Sequence, residues 1–229
     1  MHGITTIFEG RVPTPSIKWI EKYMLMAKVL ADTNSACLSR KIGVVLTNPE
    51  HRIISTGYNG SPPGVPHNDS FAYLYALYTQ ILPPKFRQQI NTKYGFKQAE
   101  DTPLADAIVD NGSKFAFKFA NSGQCPRKIL NIPSGQHLEF CNCGHAERNA
   151  LANANRLGVS TIDSIMYCWC GVPCHECVIQ IIQAGVGCVI CLETSTPDYS
   201  PSSRYNLCAS QVTLVQVPIV TLTCENTDK

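Results

Sequence analysis

Residues 141–150 read CNCGHAERNA, and residues 173–177 read PCHEC. Each stretch places metal-binding side chains where the pattern of apolar residues predicts that a helix begins. Catalytic zinc takes three protein ligands, with histidine nitrogen and cysteine thiolate among its usual donors, and leaves a fourth position for water. His145, Cys174 and Cys177 give that ligand count. The two stretches together therefore predict a zinc site formed by two helix starts.

The spacing within each stretch assigns further roles. Cys174 and Cys177 are three residues apart, so at the start of a helix they lie on one face, where the helix dipole favours thiolates. Glu147 comes close to the metal without being needed as a ligand, which suits a proton carrier. A Cys-x-x-Cys alone is more often a structural zinc or redox pair, and a lone His-x-Glu usually lies on the surface. Their combination favours the catalytic interpretation.

The rest of the chain alternates helices and strands. A helix is predicted from Thr14 and Pro15 to about residue 33, since threonine caps helices and proline is tolerated at the first position. Two β-type runs then form an antiparallel hairpin. The predicted segments after the first helix are 41–48, 52–60, 145–157, SIMYCW, 174–184, GCVICLE, 202–210 and VTLVQVPIV. This order predicts an α/β fold with a mixed sheet covered by helices on both faces.

Between about residues 68 and 124 the pattern loosens. FAYLYALY is apolar enough for a short helix, but PPKFRQQINTKYGFKQAEDTP and DNGSKF read as polar and broken. We interpret the region as a long insertion into a single domain spanning residues 14–220. Residues 1–13 and 221–229 are then terminal extensions.

The charge balance and composition of the chain argue against several classes of function. The chain has 19 basic and 17 acidic residues, and this balance argues against a nucleic-acid groove or a membrane surface as partner. It has no apolar run near the roughly 20 residues of a membrane span, and MHGITTIFEGRVP lacks an apolar signal core. We expect a cytoplasmic protein, in the host cytoplasm if it is viral. Its 12 cysteines then indicate metal ligation or small apolar packing rather than disulfides.

HAERNA and PCHEC, in this order, match the signature of zinc deaminases that act on nucleobases. Together with ACLSRKIGVVL, STGYNGSPPG, CPRKILNIPSGQHLEFC and IIQAGV, they make the chain resemble the cytidine deaminase superfamily and, within it, the deoxycytidylate (dCMP) deaminases. The resemblance implies a three-layer α/β/α cytidine deaminase-like fold. Its central mixed sheet has five strands, and the long insertion interrupts it.

The resemblance also implies a reaction. A zinc-activated water hydrolyses dCMP to dUMP and ammonia, with Glu147 as proton carrier, and dUMP supplies thymidylate synthesis. Two alternatives stay open: the same chemistry on dCTP or another cytosine nucleotide, and a nucleotide-binding relative without turnover. The GYNG block favours a nucleotide substrate, and an intact Glu147 favours an enzyme.

Four residues near the predicted pocket take substrate roles from the resemblance. Asn59 would hydrogen-bond the deoxyribose, and the backbone N–H of Ala146 would hold the pyrimidine O2. Val44 and Val45 would lie near the floor of the base pocket, although valines in a strand are usually core.

Phosphate recognition is assigned to three further residues, Arg40, Lys41 and Tyr199. For Arg40 and Lys41, solvated charges at the start of a strand are an equally good interpretation.

Many members of the superfamily respond to dCTP as activator and dTTP as inhibitor. The resemblance places a second nucleotide site partly in the GYNG loop, with Tyr58, Gly60 and Ser61, and gives Arg156 the position of a regulatory arginine. Mg²⁺ would accompany a triphosphate effector. A homo-oligomer, perhaps a hexamer, is the assembly that the family implies.

A second, structural zinc is implied by relatives that carry ligands before the first strand, after the GYNG block and ahead of the HAE motif. The matching residues are Cys37, His67, Cys125 and Cys141. His137 and Cys143 are alternative ligands, and buried free cysteines are the alternative interpretation. The other cysteines, 168, 170, 188, 191, 208 and 224, are assigned mainly to strands and core. The connection YCWCGVPC is one residue longer than usual in the family.

Overall fold

The computed structural model describes residues 3–97, 102–133, 135–194 and 201–219. The chain divides into two compact units. The sheet unit consists of residues 1–35, 41–59 and 144–229, and the insertion unit consists of residues 36–40 and 60–143. The inserted unit is therefore wider than the predicted span of residues 68–124.

A mixed six-stranded sheet organises the sheet unit. Its strands are β1 (Thr5–Phe8), β2 (Gly43–Thr47), β3 (Ile53–Tyr58), β4 (Ile165–Cys168), β5 (Cys188–Leu192) and β6 (Thr213–Val217). They lie in the order β1-β6-β5-β4-β2-β3. Strands β4, β5 and β6 are parallel, whereas β2 runs antiparallel to both β3 and β4. The α/β class, the mixed sheet and the hairpin are confirmed.

The predicted number of five strands is wrong, because β1 pairs antiparallel with β6 as a sixth. The described part of the predicted N-terminal extension thus contributes a strand to the sheet. The segment is only four residues long and its side chains are mostly exposed, so it shows none of the alternation by which strands are found in a sequence.

Within its described residues, the sheet unit contains four helices: α1 (Ile17–Asn34), α6 (Ala146–Arg156), α7 (His175–Gln183) and α8 (Pro201–Ala209). The insertion unit holds α2 (Phe71–Ala76), continued by a π-helical turn (Leu77–Ile81), then α3 (Pro84–Tyr94), α4 (Leu104–Phe119), α5 (Pro126–Ile129) and a 3₁₀ turn (Leu138–Phe140). Across the described ranges, no helix combines the length and the apolar character needed to cross a bilayer.

Apolar cores lie on both faces of the sheet, which confirms the three-layer arrangement. Side chains alternate between the faces along each strand. On one face Val45, Tyr167 and Ile190 pack in a core with Ile20 and Met24 of α1. The core of the other face contains Val44, Leu46, Met166 and Val189 of the sheet, and Ala146, Ala150, Val178, Ile181 and Leu207 of α6, α7 and α8.

The contact between β3 and α6 positions the start of α6. Gly57 of β3 lies so close to this helix that a Cβ there would come 2.2 Å from the carbonyl oxygen of Ala146. The amide of Asn149 donates to the carbonyl of Tyr58 at 2.8 Å, and the amide of Asn153 donates to the carbonyl of Thr56 at 2.9 Å. Both bonds satisfy carbonyls of a strand at the edge of the sheet.

The insertion is more helical than the sequence predicts. PPKFRQQINTKY contains α3, and DNGSKF lies inside the 16-residue helix α4. Asn111 and Gly112 read as a turn but are buried, and a Cβ on Gly112 would come 2.6 Å from Cγ2 of Thr79. The core of the unit includes Tyr73, Leu74, Leu77, Phe115 and Phe119. Tertiary packing therefore overrides the weak helix propensity of this segment.

Candidate metal centre and active site

The structure brings together the three predicted zinc ligands. His145 is the N-cap residue of α6, Cys174 is the N-cap residue of α7, and Cys177 lies in the first turn of α7. The Nδ1 atom of His145 lies 3.4 Å from Sγ of Cys174 and 3.3 Å from Sγ of Cys177. In the part of the chain that the structure describes, this is the one group of three or more potential ligands whose atoms all lie within 4.8 Å of one another.

The geometry of this group fits zinc. With Zn–S near 2.3 Å and Zn–N near 2.05 Å, a tetrahedral ion separates nitrogen and sulfur ligands by about 3.6 Å. The observed separations are slightly shorter. A hydrogen bond from the Cys177 thiol and one from His145 lower the pKa of Cys174 to about 4, whereas the bond between the two cysteines raises the pKa of Cys177. The hydrogen bond to Cys174 raises the pKa of His145 in turn.

Glu147 is buried beside this group. It is the second residue of α6, its side chain is only 3% exposed, and this burial raises the pKa of its carboxyl group. Within the described ranges its Oε2 atom is buried without a hydrogen-bond partner. A buried carboxylate near a metal and not needed as a ligand can accept and release a proton close to neutral pH.

Asn59 is fixed by its neighbours at the end of β3. Its side-chain Oδ1 accepts hydrogen bonds from the hydroxyl of Ser35 at 2.5 Å and from the backbone N–H of Ile42 at 2.9 Å. With Oδ1 engaged twice, the side chain of Asn59 is held in one orientation. The sequence did not single out Ser35, which carries no motif of its own.

The two candidate valines lie on different faces of the sheet. Val44 packs in the same core as Ala146, at the start of α6. Val45 packs in the core on the opposite face, beneath α1. Adjacent residues of a strand point in opposite directions, so only Val44 stays a candidate for the pocket floor.

Two of the three phosphate candidates, Arg40 and Lys41, lie within the described residues. Lys41 is exposed, and its amine donates to the backbone carbonyl of Asp32 at 3.1 Å. Arg40 is exposed in the insertion unit, where its backbone N–H bonds the sulfur of Cys37. Tyr199 lies outside the described residues.

The four residues proposed for effector binding fall in both units. Tyr58 is partly exposed at the end of β3, and Arg156 is exposed in the last turn of α6. Gly60 and Ser61 belong to the insertion unit. Their regulatory role stays a prediction.

Four cysteines of the insertion unit contact one another in pairs, and no three of their sulfurs all lie within 4.8 Å of one another. The thiol of Cys141 contacts those of Cys125 and Cys143, and Cys143 also contacts Cys37. The sulfurs thus form a linear chain of contacts. Hydrogen bonds with Cys125 and then Cys143 lower the pKa of Cys141 to about 2, and a bond with Cys143 lowers that of Cys37 to about 6.

Of the four residues predicted to hold a structural zinc, Cys37, Cys125 and Cys141 belong to this chain of contacts, and His67 does not. Asn68, and not its neighbour His67, touches the sulfurs: its amide donates to Cys141 at 3.2 Å and to Cys143 at 3.1 Å. His67 is exposed. His137 is also exposed and pairs with Glu139 at 2.9 Å. Cys143, an alternative in the sequence, completes a set of four cysteines.

Two contacts near His145, Cys174 and Cys177 were not predicted from the sequence. The sulfur of Cys170 lies 3.9 Å from Oε1 of Glu147, although this cysteine was assigned to strand or core. An ion pair of 3.6 Å between Arg148 and Glu176 links the first turns of α6 and α7. The sequence signal for a difference in this loop was that the connection YCWCGVPC is one residue longer than usual in the family.

Comparisons with known proteins agree with the geometry. A family model, the cytidine and deoxycytidylate deaminase zinc-binding region, matches residues 17–193. The deoxycytidylate deaminase of Schizosaccharomyces pombe is 29% identical over 73% of this chain and 35% of its own length, and that of Saccharomyces cerevisiae is 27% identical over 36% of its length. The chain thus spans about a third of these yeast relatives. The deoxycytidylate deaminase of bacteriophage T2 is 28% identical over 75% of this chain and 78% of its own.

A solved structure shares the fold. The dCMP deaminase of cyanophage S-TIM5 in complex with dCMP and dUMP is 18% identical, with a TM-score of 0.51 over 89% of this chain and all of that one. With the family model matching most of the chain, and a His-Cys-Cys group where two helices begin, the chain belongs to the family of the cytidine and deoxycytidylate deaminase zinc-binding region.

Proposed function

We propose that the protein hydrolyses the 4-amino group of dCMP to give dUMP and ammonia. The observation that carries the proposal is a buried carboxylate, Glu147, beside His145, Cys174 and Cys177 at two helix N-termini. The relatives described above are deoxycytidylate deaminases, which supports dCMP among the cytosine nucleotides.

The residues of the chain supply the proton transfers. When bound, zinc lowers the pKa of a coordinated water toward about 7. Glu147 takes one proton from the attacking water and delivers it to N3 of the ring as the new C4–O bond forms. It then moves the second proton to the 4-amino group, the C4–N4 bond breaks, and ammonia leaves as the C4 carbonyl forms. Burial favours this role, because it keeps the carboxylate out of bulk water.

Substrate orientation would come from groups around this carboxylate. The backbone N–H of Ala146 is at the first position of α6, where helical N–H groups have no partner within the helix, and it would donate to the pyrimidine O2. Asn59 would hydrogen-bond the deoxyribose, as the family resemblance implies. Val44, on the same face of the sheet as α6, would form the floor beneath the base.

Ammonia release from dCMP, dCTP, cytidine and deoxycytidine, measured with zinc-loaded protein, tests the proposal. We expect dCMP to give the highest kcat/KM. A preference for dCTP would support the same chemistry on another nucleotide. No release from any of them by a zinc-loaded protein would indicate a relative without turnover.

We also propose that Cys37, Cys125, Cys141 and Cys143 hold a second, structural zinc. Structural zinc accepts four cysteine thiolates in a closed tetrahedral site. Backbone N–H groups bond the sulfurs of Cys37 and Cys125, which is the way outer-shell groups orient metal ligands.

Metal analysis distinguishes this ligand set from the one predicted in the sequence. Purified protein should contain two zinc ions per chain, and Cys125→Ser or Cys141→Ser should reduce this to one. His67→Ala, the matched control, should retain two. A wild-type content of one zinc ion, or loss of one in His67→Ala, would contradict the four-cysteine set.

We propose, finally, that the enzyme is regulated as the family resemblance implies. dCTP with Mg²⁺ would activate and dTTP would inhibit a homo-oligomer, with Tyr58, Gly60, Ser61 and Arg156 taking part in the response. Rates at low dCMP with each effector, and the mass measured by light scattering, test this. Arg156→Ala should weaken the response, whereas the control Arg52→Ala, also exposed, should not. An oligomer whose rate is unchanged by either effector would contradict the regulation.

A further inference from the structure

The loop between β4 and α7 brings a thiol against the proposed proton carrier. The sulfur of Cys170 lies 3.9 Å from Oε1 of Glu147, a distance at which an S–H group can donate a weak hydrogen bond. The other carboxylate oxygen, Oε2, is buried without a partner within the described ranges. The two oxygens therefore differ: one faces a donor and the other does not.

The position of Cys170 is fixed by its backbone. Its carbonyl accepts a hydrogen bond of 2.7 Å from the N–H of Leu192, at the end of β5. The preceding residue, Trp169, donates to the carbonyl of Gly43 in β2 at 2.9 Å. The side chain is half-buried and packs against the core shared by α6 and α7. Because the backbone around Cys170 is hydrogen-bonded to two strands, its thiol has a defined position from which it can orient a neighbouring side chain.

A hydrogen-bond donor held in a fixed position would restrict the orientation of the Glu147 carboxylate. The terminal torsion of a glutamate has a broad, roughly two-fold energy profile, so burial alone does not select which oxygen faces the substrate. A donor on one oxygen selects one orientation and leaves the other oxygen to handle the proton. Catalytic groups need this orientation to be set before the reaction.

We propose that Cys170 is a positioning residue for the deamination: its thiol donates to Oε1 of Glu147, holds the carboxylate in one orientation and leaves Oε2 to transfer protons. The inference rests on the proposed function. It also gives the longer connection YCWCGVPC a role, because this connection carries the thiol to Glu147. Cys170 itself is not a zinc ligand.

Removal of this donor should lower kcat and leave KM unchanged. Cys170→Ala, loaded with zinc, should lose about threefold to tenfold in kcat for dCMP, the loss expected for one weak hydrogen bond. Cys170→Ser should recover most of the rate, because a hydroxyl group also donates. Cys188→Ala is the matched control: it removes another buried thiol, from β5, and should lower the melting temperature while kcat stays at the wild-type value.

Steady-state kinetics, zinc content and melting temperature of these four proteins form the test. Wild-type kcat in Cys170→Ala would overturn the inference, as would a serine variant as slow as the alanine variant. A loss of kcat that follows a loss of zinc would overturn it too. A wild-type protein that releases no ammonia from any cytosine nucleotide would overturn the proposed function itself, which is a separate outcome.

Discussion

At the scale of single residues, the N-cap positions of α6 and α7 are occupied by candidate metal ligands and not by the residues that helices in general prefer there. Serine, threonine, aspartate and asparagine are preferred as N-caps because their side chains accept a hydrogen bond from the first turn. His145 and Cys174 hold the N-cap positions and make no side-chain cap bond. Losing a cap typically costs about 1 kcal/mol of stability. Both helices thus start with residues that are poor for folding and suited to metal binding.

His145→Asn tests whether the native residue at this N-cap position lowers the stability of the protein and is needed for zinc binding. Asparagine is a good N-cap, so in the presence of a chelator we expect the variant to be as stable as the wild type or more stable, by up to about 1 kcal/mol. It should bind no zinc at the His-Cys-Cys group. Chemical denaturation and metal analysis measure both quantities. His175→Asn, the exposed histidine that follows Cys174, is the control and should keep its zinc; equal zinc binding by both variants would contradict the ligand assignment.

The positions of individual side chains show which parts of the candidate site could be predicted from the sequence. His145, Glu147, Cys174 and Cys177 lie in two short motifs, and these motifs were enough to predict that His145, Cys174 and Cys177 come together. The four-cysteine cluster joins three segments far apart in the chain. Spacing did not show that Asn68, and not His67, meets the sulfurs. Nor could it show that Val45 faces away, because this needs the orientation of β2 in the sheet.

At the scale of elements, the contact of α6 with β3 determines where the carboxylate of Glu147 lies. Gly57 has no side chain, and the first turns of α6 come within 2.2 Å of where its Cβ would be. Because His145 and Glu147 belong to the start of this helix, its distance from β3 sets their distance from α7. Gly57, the first residue of the GYNG block, therefore helps to position His145 and Glu147.

Gly57→Ala should disturb this contact. The new methyl group would meet the carbonyl of Ala146 and the backbone nitrogen of Ala150, neither of which can rotate away. We expect a loss of about 1–3 kcal/mol in stability, typical of overpacking, and weaker zinc binding. Urea denaturation and metal titration measure the two effects. Thr56→Ala on the same strand adds no volume and should retain zinc affinity; normal stability and affinity in Gly57→Ala would contradict the close packing.

The elements that the sequence predicted are those with strong periodicity or strong end signals. The buried positions of α1 recur at helical spacing, and Gly158, with φ of 66°, follows the end of α6. In α4 the segment Asn111–Gly112 mimics a turn, and burial against α2 and its π-helical continuation keeps it helical. Strand β1 was missed because its pairing with β6 connects residues about 200 positions apart, which local patterns cannot show.

At the scale of the whole sheet unit, Arg11 ties the N-terminal segment to the body. Its guanidinium donates to Asp163 at 2.8 Å, to the carbonyls of Gly185 and Val186 at 2.7 Å, and to that of Ser210 at 3.3 Å. These acceptors come from three separate connections. The planar guanidinium group of an arginine carries five N–H donors, so it can donate to several acceptors at once. The segment regarded as an extension is therefore part of the folded unit.

Arg11→Ala should destabilise the sheet unit by about 1–2 kcal/mol, less than a fully buried charge network because the side chain is one-third exposed. Asp163→Asn is the control. It removes only the ion pair, retains the positive φ of 54° that asparagine tolerates, and should cost less than about 1 kcal/mol. Equal losses in the two variants, measured by urea denaturation, would show that the carbonyl contacts contribute nothing.

The central claim, that Glu147 is the proton carrier of a zinc-dependent deamination, is tested most directly by one comparison. Ammonia release from dCMP is measured for the wild type, Glu147→Gln and Glu176→Gln, each with its zinc content determined. Glu176 is an exposed carboxylate in the first turn of α7 and serves as the matched control. We predict full zinc in all three, wild-type activity in Glu176→Gln, and a loss of at least about a hundredfold in Glu147→Gln. Activity near the wild-type rate in zinc-loaded Glu147→Gln would contradict the account.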